Sequence, residues 1–166
     1  MTLLPTHRRD PLNDLVLERT IDVPVSLVWQ AWTVPEHMIH WFTPQPWSTV
    51  SADIDLRPGG RCNTTMRSPD GELFPNHGCY LEIVPERRLV FTSAMVEGFR
   101  PVAPPPGMWH FTGVISMEPL DANRTKYTAT AIHGDPDSAA RHEAMGFSAG
   151  WGTALTQLVE YMQGRR

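Results

Sequence analysis

The sequence predicts an α+β fold in which a curved antiparallel sheet wraps around a long C-terminal helix. One strand-like segment and two helical segments come first, six strand-like segments follow, and helical periodicity returns from Asp135 onward. The predicted order is therefore β-α-α-β-β-β-β-β-β-α. A sheet of this kind can bury its apolar face by curving around one helix. Such a fold rarely fills completely, so we expect an internal cavity between helix and sheet.

The N-terminal stretch differs in character from the rest of the chain. Residues 1–14 contain two prolines and three basic residues without hydrophobic periodicity, and we expect a flexible arm there. Residues 15–21, LVLERTI, alternate apolar and polar side chains as a half-buried strand does. From this strand to the last helix no linker-like segment interrupts the pattern, which predicts one domain over residues 15–163.

Two short helices are predicted after the first strand. Pro24 suits the first position of a helix that continues through VSLVWQAW. Thr33 and Glu36 are three residues apart, which is the spacing of a capping box at the start of a second helix, PEHMIHWF.

Turn signals separate the strands of the predicted sheet. The segment RPGG at residues 57–60 indicates a turn, and the Asp-Gly pair of SPDG at residues 68–71 favours a hairpin. Alternating polarity predicts that one face of the sheet is buried and the other is wet or partly covered. The six strand segments are TVSADIDL, RCNTTMR, LFPNHGCYLEI, RLVFTSAM, WHFTGVISME and TKYTATAIH.

The C-terminal region has clear helix-start signals but an unusual glycine content. Asp135 can cap a helix whose first position is Pro136, and the large apolar residues that follow recur at helical spacing. Gly146, Gly150 and Gly152 lie in or beside this pattern, although an interior glycine costs a helix about 1 kcal/mol relative to alanine. Either the glycines allow the helix to approach the sheet closely, or Gly146 divides the region into two helices.

Composition limits the classes of partner. The chain has 166 residues, a net charge of −4 and no large basic cluster, so neither nucleic acid nor an anionic membrane is an expected partner. No apolar run reaches the roughly 20 residues of a membrane span, and the N-terminus lacks the order of a signal peptide. Two cysteines do not make a disulfide framework. These observations predict a soluble, cytoplasmic protein.

Five segments carry a family resemblance in this order and spacing: RTIDVPVSLVWQAWTVPEHMIHWF, DIDLRPGGRC, SPDGELF, GCYLEIVPERRLVFT and MGFSAGWGTALTQL. Together they resemble the bacterial family named after the eukaryotic activator of a heat-shock ATPase, a branch of the helix-grip superfamily, also called START-like, Bet v-like or SRPBCC. The resemblance covers about residues 15–162 and implies a helix-grip fold with an apolar cavity. Superfamily members bind lipids, hormones or polyketides, some catalyse cyclisation or dehydration, and the name-giving members assist a chaperone.

Histidines are the first candidates for binding chemistry. Neither they nor the cysteines have the spacing of a metal-binding motif, so neither a metal site nor a cofactor is predicted. By strand alternation His133 shares a face with Ala131, and His77 shares a face with Cys79, so both histidines are predicted to point inward. His110 is a third candidate, although its aromatic neighbours favour the opposite face. The alternative is a structural role at strand ends, with backbone or water as partners.

Aromatic residues are the second group of candidates. Six tryptophans are a high content for this length, and aromatic side chains commonly line ligand pockets. Trp41 and Trp151, with Met145, are therefore predicted as cavity walls, with core packing as the alternative. The proline-rich loop at residues 97–109 indicates a semi-rigid lid or a dimer contact. The predicted ligand-binding residues are Trp41, His77, His110, His133, Met145 and Trp151.

Three functions are compatible with these features. The leading hypothesis is binding of a small hydrophobic or aromatic molecule in the internal cavity. The second is an enzyme that uses a cavity histidine, either polyketide cyclase- or dehydratase-like or a hydrolase. No nucleophile, base and orienting group can be assembled from the sequence, so no catalytic residue is predicted. The third is a module that interacts with a chaperone or a regulator, which the resemblance implies and no sequence feature supports; the resemblance also implies a homodimer.

Overall fold

The computed structural model describes residues 3–165 and begins with the strand β1 (Asp14–Ile21) and the helices α1 (Val25–Thr33) and α2 (Pro35–Met38). The chain ends in two helices, α3 (Pro136–Ala144) and α4 (Phe147–Gln163). This arrangement confirms the predicted α+β class. The strands between the two helical regions are β2 (Ser48–Ile54), β3 (Cys62–Arg67), β4 (Leu73–Asn76), β5 (Cys79–Val84), β6 (Arg88–Thr92), β7 (Met95–Val96), β8 (Arg100–Pro101), β9 (Phe111–Pro119) and β10 (Thr125–His133).

The strands form a curved antiparallel surface. The main sheet has the order β1-β10-β9-β6-β5, a second sheet has the order β2-β3-β4, and β7 pairs with β8 in a small hairpin. Backbone hydrogen bonds join the two larger sheets, because the N–H of Cys62 donates to Gly78 O and the N–H of Tyr80 donates to Gly60 O, both at 3.0 Å. The second sheet therefore continues from the β5 edge of the main sheet.

The core lies between the inner face of the main sheet and the helices. Leu155, Leu158 and Met162 of α4 are buried there against residues of α1, β9 and β10. Burying each such side chain contributes about 1.5–3 kcal/mol relative to leaving it in water. Among residues 3–165, no helix combines the length and apolar character needed to cross a membrane.

An aromatic cluster occupies the part of the core beside α1. The ring centroid of Trp32 lies 4.9 Å from that of Trp41, 5.7 Å from Phe42 and 5.9 Å from Phe91. The Trp32 indole N–H donates to the Tyr127 hydroxyl at 3.1 Å, and the Trp41 indole N–H donates to a backbone carbonyl of α1 at 3.0 Å. Both buried indoles thus have a hydrogen-bond partner, as buried tryptophans usually do.

The observed order differs from the predicted one in the middle of the chain. The segment predicted as one strand, LFPNHGCYLEI, forms two strands: β4 pairs with β3, and β5 pairs with β6. Its chain changes sheets at His77 and Gly78, and a Cβ atom on Gly78 would lie 3.0 Å from Thr92 O. The hairpin of β7 and β8 was also not predicted, whereas the Asp-Gly turn between β3 and β4 is confirmed.

The predicted capping box of the second helix is wrong. Val34 caps α2 without a side-chain hydrogen bond, and the Thr33 hydroxyl instead donates to Trp29 O at 2.7 Å. Thr33 is still the last residue of α1, so its hydroxyl bonds back into that helix.

The N-terminal stretch contacts the domain at several points. Nε2 of His7 and the backbone N–H of Asp10 both lie within hydrogen-bond distance of the Asp14 carboxylate, at 3.0 and 2.9 Å. Arg88 donates to Leu4 O. Residues 1 and 2 of the predicted arm lie outside the described residues, and the flexibility of the arm stays a prediction.

Two of the three C-terminal glycines have a structural role, and the third does not. Gly146 has a φ of 101° and separates α3 from α4, so the region is two helices. A Cβ atom on Gly152 would lie 2.6 Å from Arg19 Nη2, so this glycine allows the β1 side chain to approach α4, where it donates to Gly152 O at 3.2 Å. At Gly150 a Cβ atom would meet only Pro44, at an ordinary 3.7 Å.

These roles predict opposite effects of two alanine substitutions. Gly146→Ala places a side chain in the left-handed region and is expected to lower the free energy of unfolding by about 1 kcal/mol. Gly150→Ala fills free space in a helix interior and is expected to raise it by about 0.5–1 kcal/mol. Urea denaturation of both variants and the wild type measures these changes. Equal effects of the two substitutions would contradict the assignment of the helix break to Gly146.

Candidate functional site

A pocket of about 530 Å³ opens at one end of the main sheet. It lies between the end of β6, the loop before β9, the start of β9, the end of β10 and the first turn of α3. A second pocket of about 260 Å³, between β1 and α4, is smaller. Residues that line the larger pocket include apolar Met108, Trp109, Phe111 and Ile132 and polar His110, His133 and Ser138.

Strand register and a helix cap bring these residues together. Phe111 at the start of β9 pairs with His133 at the end of β10, so both side chains reach the same end of the sheet. The chain then turns at Asp135, whose carboxylate accepts the N–H of Ser138 at 2.7 Å and caps α3 as predicted. Because α3 begins there, Ser138 and His142 lie one helical turn apart on the same face.

His133 and His142 form a hydrogen-bonded pair beside the pocket. The distance from His133 Nδ1 to Asn13 O is 2.9 Å, and that from His133 Nε2 to His142 Nδ1 is 2.8 Å. A carbonyl oxygen only accepts, so His133 carries its proton on Nδ1. When both rings are neutral, His133 Nε2 accepts the proton of His142 Nδ1. The unprotonated nitrogen at the end of this chain is His142 Nε2.

The environment of His142 keeps its ring uncharged at neutral pH. The pKa of His142 is lowered to about 4, chiefly by burial and to a lesser extent by the neighbouring His133, while the carboxylate of Glu143 acts in the opposite direction. A neutral imidazole accepts a hydrogen bond or a proton at its unprotonated nitrogen.

Four aromatic rings surround His142. The centroid of its ring lies 5.1 Å from Phe111, 5.3 Å from Phe147, 5.8 Å from Trp109 and 6.2 Å from Trp151. Two of these rings, Trp109 and Phe111, also line the pocket. We call these four residues the aromatic cage.

The loop before β9 is attached to α3 through Arg141. Its guanidinium carbon lies 4.9 Å from the centroid of the Trp109 ring, and its Nη2 donates to Gly107 O at 2.6 Å. A cation over an indole face is attracted by the ring quadrupole. Arg141 therefore holds the loop wall of the pocket against the helix wall.

His110 has a structural role in the same loop. Its Nε2 donates to Val102 O at 2.8 Å, so Nδ1 accepts the hydrogen bond of the Ser93 hydroxyl at 3.0 Å. The Ser93 oxygen in turn accepts the backbone N–H of Phe111 at 3.2 Å. Where a histidine activates a catalytic serine, a third group orients the histidine. Here that group is the Val102 carbonyl, and the Ser93 oxygen already accepts a hydrogen bond from the Phe111 N–H.

The six predicted site residues lie in different places. His110 and His133 line the pocket. Trp151 does not line it, but its ring centroid lies 5.8 Å from that of the lining residue Phe111. Trp41 is 2% exposed and belongs to the core cluster around Trp32, away from the pocket.

Two orientations predicted from the sequence are wrong. His77 is exposed, because the chain changes sheets there and strand alternation does not continue through it. Met145 is 68% exposed at the end of α3, since Gly146 turns the chain and Met145 is not part of the α4 stripe. The pocket itself opens to solvent at the sheet end, whereas the sequence predicted an internal cavity between helix and sheet.

His142 was not among the predicted site residues. A sequence signal for it exists, because the Asp135-Pro136 pair sets the start of α3 and therefore the shared face of Ser138 and His142. Its bond to His133 could not be predicted, since it depends on how α3 folds back over the end of β10.

The titratable groups offer limited catalytic chemistry. Within residues 3–165 no three His, Cys, Asp or Glu side chains are grouped so that they could hold a metal ion. Both cysteines are free thiols, and burial raises the pKa of Cys62 to about 11, so it is protonated at neutral pH. The partners of His133 are a backbone carbonyl and a second histidine, and neither is an acid.

Comparison with known families identifies the chain's relatives. The model of the family described as "Activator of Hsp90 ATPase homolog 1-like protein" matches residues 22–163. The chain belongs to this family. No curated protein matches it.

Solved structures agree with this AHSA1-like assignment. An X-ray structure of a protein from Nitrosomonas europaea is 45% identical, with a TM-score of 0.88 over 95% of this chain and 98% of that one. A solution structure of a protein from Arthrobacter aurescens is 21% identical, with a TM-score of 0.80 over 98% and 93% of the two chains. The AHSA1 protein from Silicibacter pomeroyi is 20% identical, with a TM-score of 0.66 over 92% and 99%. The last two show the shared fold alone.

The lowered pKa of His142 predicts a pH dependence of stability. Between pH 6.5 and about pH 4 the unfolded chain protonates this histidine and the folded chain does not, so the free energy of unfolding falls as the pH is lowered through this range. The ring is partly exposed, and solvent screening reduces the expected loss to about 1–2 kcal/mol. Urea midpoints at pH 4–7 measure it.

A matched pair of variants isolates this contribution. His142→Gln keeps an N–H donor for His133 but cannot titrate, so its stability should fall less than that of the wild type between pH 6.5 and pH 4. His77→Gln replaces an exposed histidine and should keep the wild-type profile. Identical profiles for wild type and His142→Gln would show that His142 does not titrate abnormally.

Proposed function

We propose that this AHSA1-like chain binds a small hydrophobic or aromatic molecule in the pocket at the end of the main sheet. The observation that carries the proposal is the convergence of apolar walls and a few oriented polar groups in one open pocket of about 530 Å³. Ligand pockets in proteins typically measure about 300–1,000 Å³ and combine mostly apolar lining with a small number of polar anchors.

The walls favour a flat, ring-containing ligand. Trp109 and Phe111 offer aromatic surfaces at the pocket, and Ile132 and Met108 add apolar surface that accepts varied shapes. Arg141 holds the Trp109 wall in position, so little side-chain ordering is needed when a ligand binds. A preorganised aromatic wall supports affinity because its entropy cost has already been met in the free protein.

The two alternative functions have weaker support. An enzymatic role for a pocket histidine would be favoured by an acidic hydrogen-bond partner. The described hydrogen-bond partners of His110 and His133 are backbone carbonyls, a serine and a histidine, while the nearby Asp135 carboxylate caps α3. The family description names a chaperone activator, and no contact of the described residues favours that role for this chain over ligand binding. The cytoplasmic location and the homodimer stay predictions.

Narrowing the pocket should weaken binding. Ala94 lines the pocket, and Ala94→Phe is expected to reduce the affinity for indole and 2-naphthol at least about tenfold, since the new ring occupies the space of the ligand. Ala122→Phe, at an exposed turn outside the pocket, is the size-matched control and should bind like the wild type. Two-dimensional NMR titration measures both affinities and reports which backbone amides shift.

The location of the shifts is as informative as the affinity. Binding in the pocket should shift the amides of Thr112, Ile132 and Gly134, which line it. Shifts confined to α4 and β1, or equal affinities for Ala94→Phe and wild type, would contradict the proposed site. Native mass spectrometry of protein purified from its own host, followed by analysis of any released molecule, would then name the chemical class of the physiological ligand.

A further inference from the structure

The direction of each hydrogen bond in the histidine pair is determined by a backbone carbonyl. Asn13 O accepts from both the backbone N–H and the ring Nδ1 of His133, at 3.0 and 2.9 Å. Since this oxygen has no proton to give, His133 Nε2 is the acceptor of the next bond, and His142 Nδ1 is its donor. The tautomer of His142 is therefore set, through His133, by the backbone carbonyl of Asn13, the residue that directly precedes β1.

The other ring nitrogen of His142 is available to a ligand. Among the described residues Nε2 has no hydrogen-bond partner. In the same part of the chain, the fully buried side-chain N and O atoms without a partner are Asn13 Oδ1 and Tyr80 Oη, so the unpaired Nε2 is not fully buried. His142 is not itself one of the lining residues, but its ring contacts three of them, Trp109, Phe111 and His133, and it follows the lining residue Ser138 by one helical turn. An accessible acceptor thus lies beside the aromatic walls.

We infer that the pocket selects neutral aromatic molecules that carry a hydroxyl or N–H donor on the ring, and that His142 Nε2 accepts the hydrogen bond from that donor. This inference rests on the proposed binding function and adds the chemistry of the ligand. Trp109 and Phe111, the two members of the aromatic cage that line the pocket, pack against the ring of the ligand, and the acceptor orients it. A phenol or an indole meets both requirements, whereas an aromatic ether or an unsubstituted ring meets only the first.

The charges around the pair disfavour an anionic ligand. A carboxylate has no donor for His142 Nε2 and would bring its lone pairs against that of the ring. Two carboxylates of the chain are also close by, Asp135 at the cap of α3 and Glu143 next to His142. The cation of the same helix, Arg141, is already bonded to Gly107 O and lies over the Trp109 ring.

Three naphthalenes of similar size test the inference. We expect 2-naphthol to bind at least about fivefold more tightly than 2-methoxynaphthalene or 2-naphthoate, which is the range expected for one neutral hydrogen bond. In His142→Phe the ring packing is kept and the acceptor is lost, so 2-naphthol and 2-methoxynaphthalene should bind equally. His77→Phe, at an exposed position, is the control and should keep the wild-type preference. NMR titration at neutral pH measures all affinities.

A second measurement does not depend on a variant that folds. Long-range ¹H–¹⁵N spectra of the histidine rings distinguish the two tautomers, and we expect His142 to be protonated at Nδ1 in the free protein. Addition of 2-naphthol should shift the Nε2 resonance of His142, and 2-methoxynaphthalene should shift it much less.

The outcomes separate this inference from the proposed function. If all three naphthalenes bind equally at the pocket amides, ligand binding stands and the selection by His142 is overturned. A proton on Nε2 of free His142, or an unchanged donor preference in His142→Phe, also overturns it. If none of the three binds, the binding function and the inference fail together.

Discussion

The buried contact between Trp32 and Tyr127 is the interaction on which the rest of the structure depends. The indole N–H of α1 donates to a hydroxyl on β10 across 3.1 Å, in a region that water does not reach. This bond and the surrounding rings hold α1 against the inner face of the sheet, where α4 also packs. Losing either partner would leave an unsatisfied buried polar group, which costs about 1–3 kcal/mol.

The candidate site lies beside α3, the first helix of the C-terminal region, because two local features divide that region into two helices. Asp135 starts α3 directly after β10, and Gly146 ends it before α4 enters the core. Without that division the helix would continue in one direction, and no helix would cover the ends of β9 and β10. The pocket walls therefore come from α3, the strand ends and the loop that Arg141 holds, while α4 provides stability.

The arrangement of the site supports the proposed binding of an uncharged ligand. Its histidines are oriented by carbonyl oxygens, which set the tautomer, and not by a hydrogen-bonded carboxylate of the kind that orients the histidine of a catalytic triad. An uncharged imidazole among aromatic rings is well suited to accept one hydrogen bond from an uncharged ligand. The AHSA1-like family assignment and the fold similarity are compatible with such binding, and fold alone does not decide the ligand.

The sequence by itself determined the features that depend on neighbours within a few residues. These are the alternation of the strands, the Asp-Gly hairpin turn, the cap at Asp135 and the overall α+β class. Only the tertiary structure decided the exposure of His77, the burial of Trp41 and the pairing of His133 with His142. Alternation did not predict His77 because the chain changes sheets beside it, and no local pattern predicts a bond between a strand end and a helix that folds back over it. Periodicity is a property of one element, whereas a site is formed where several elements meet.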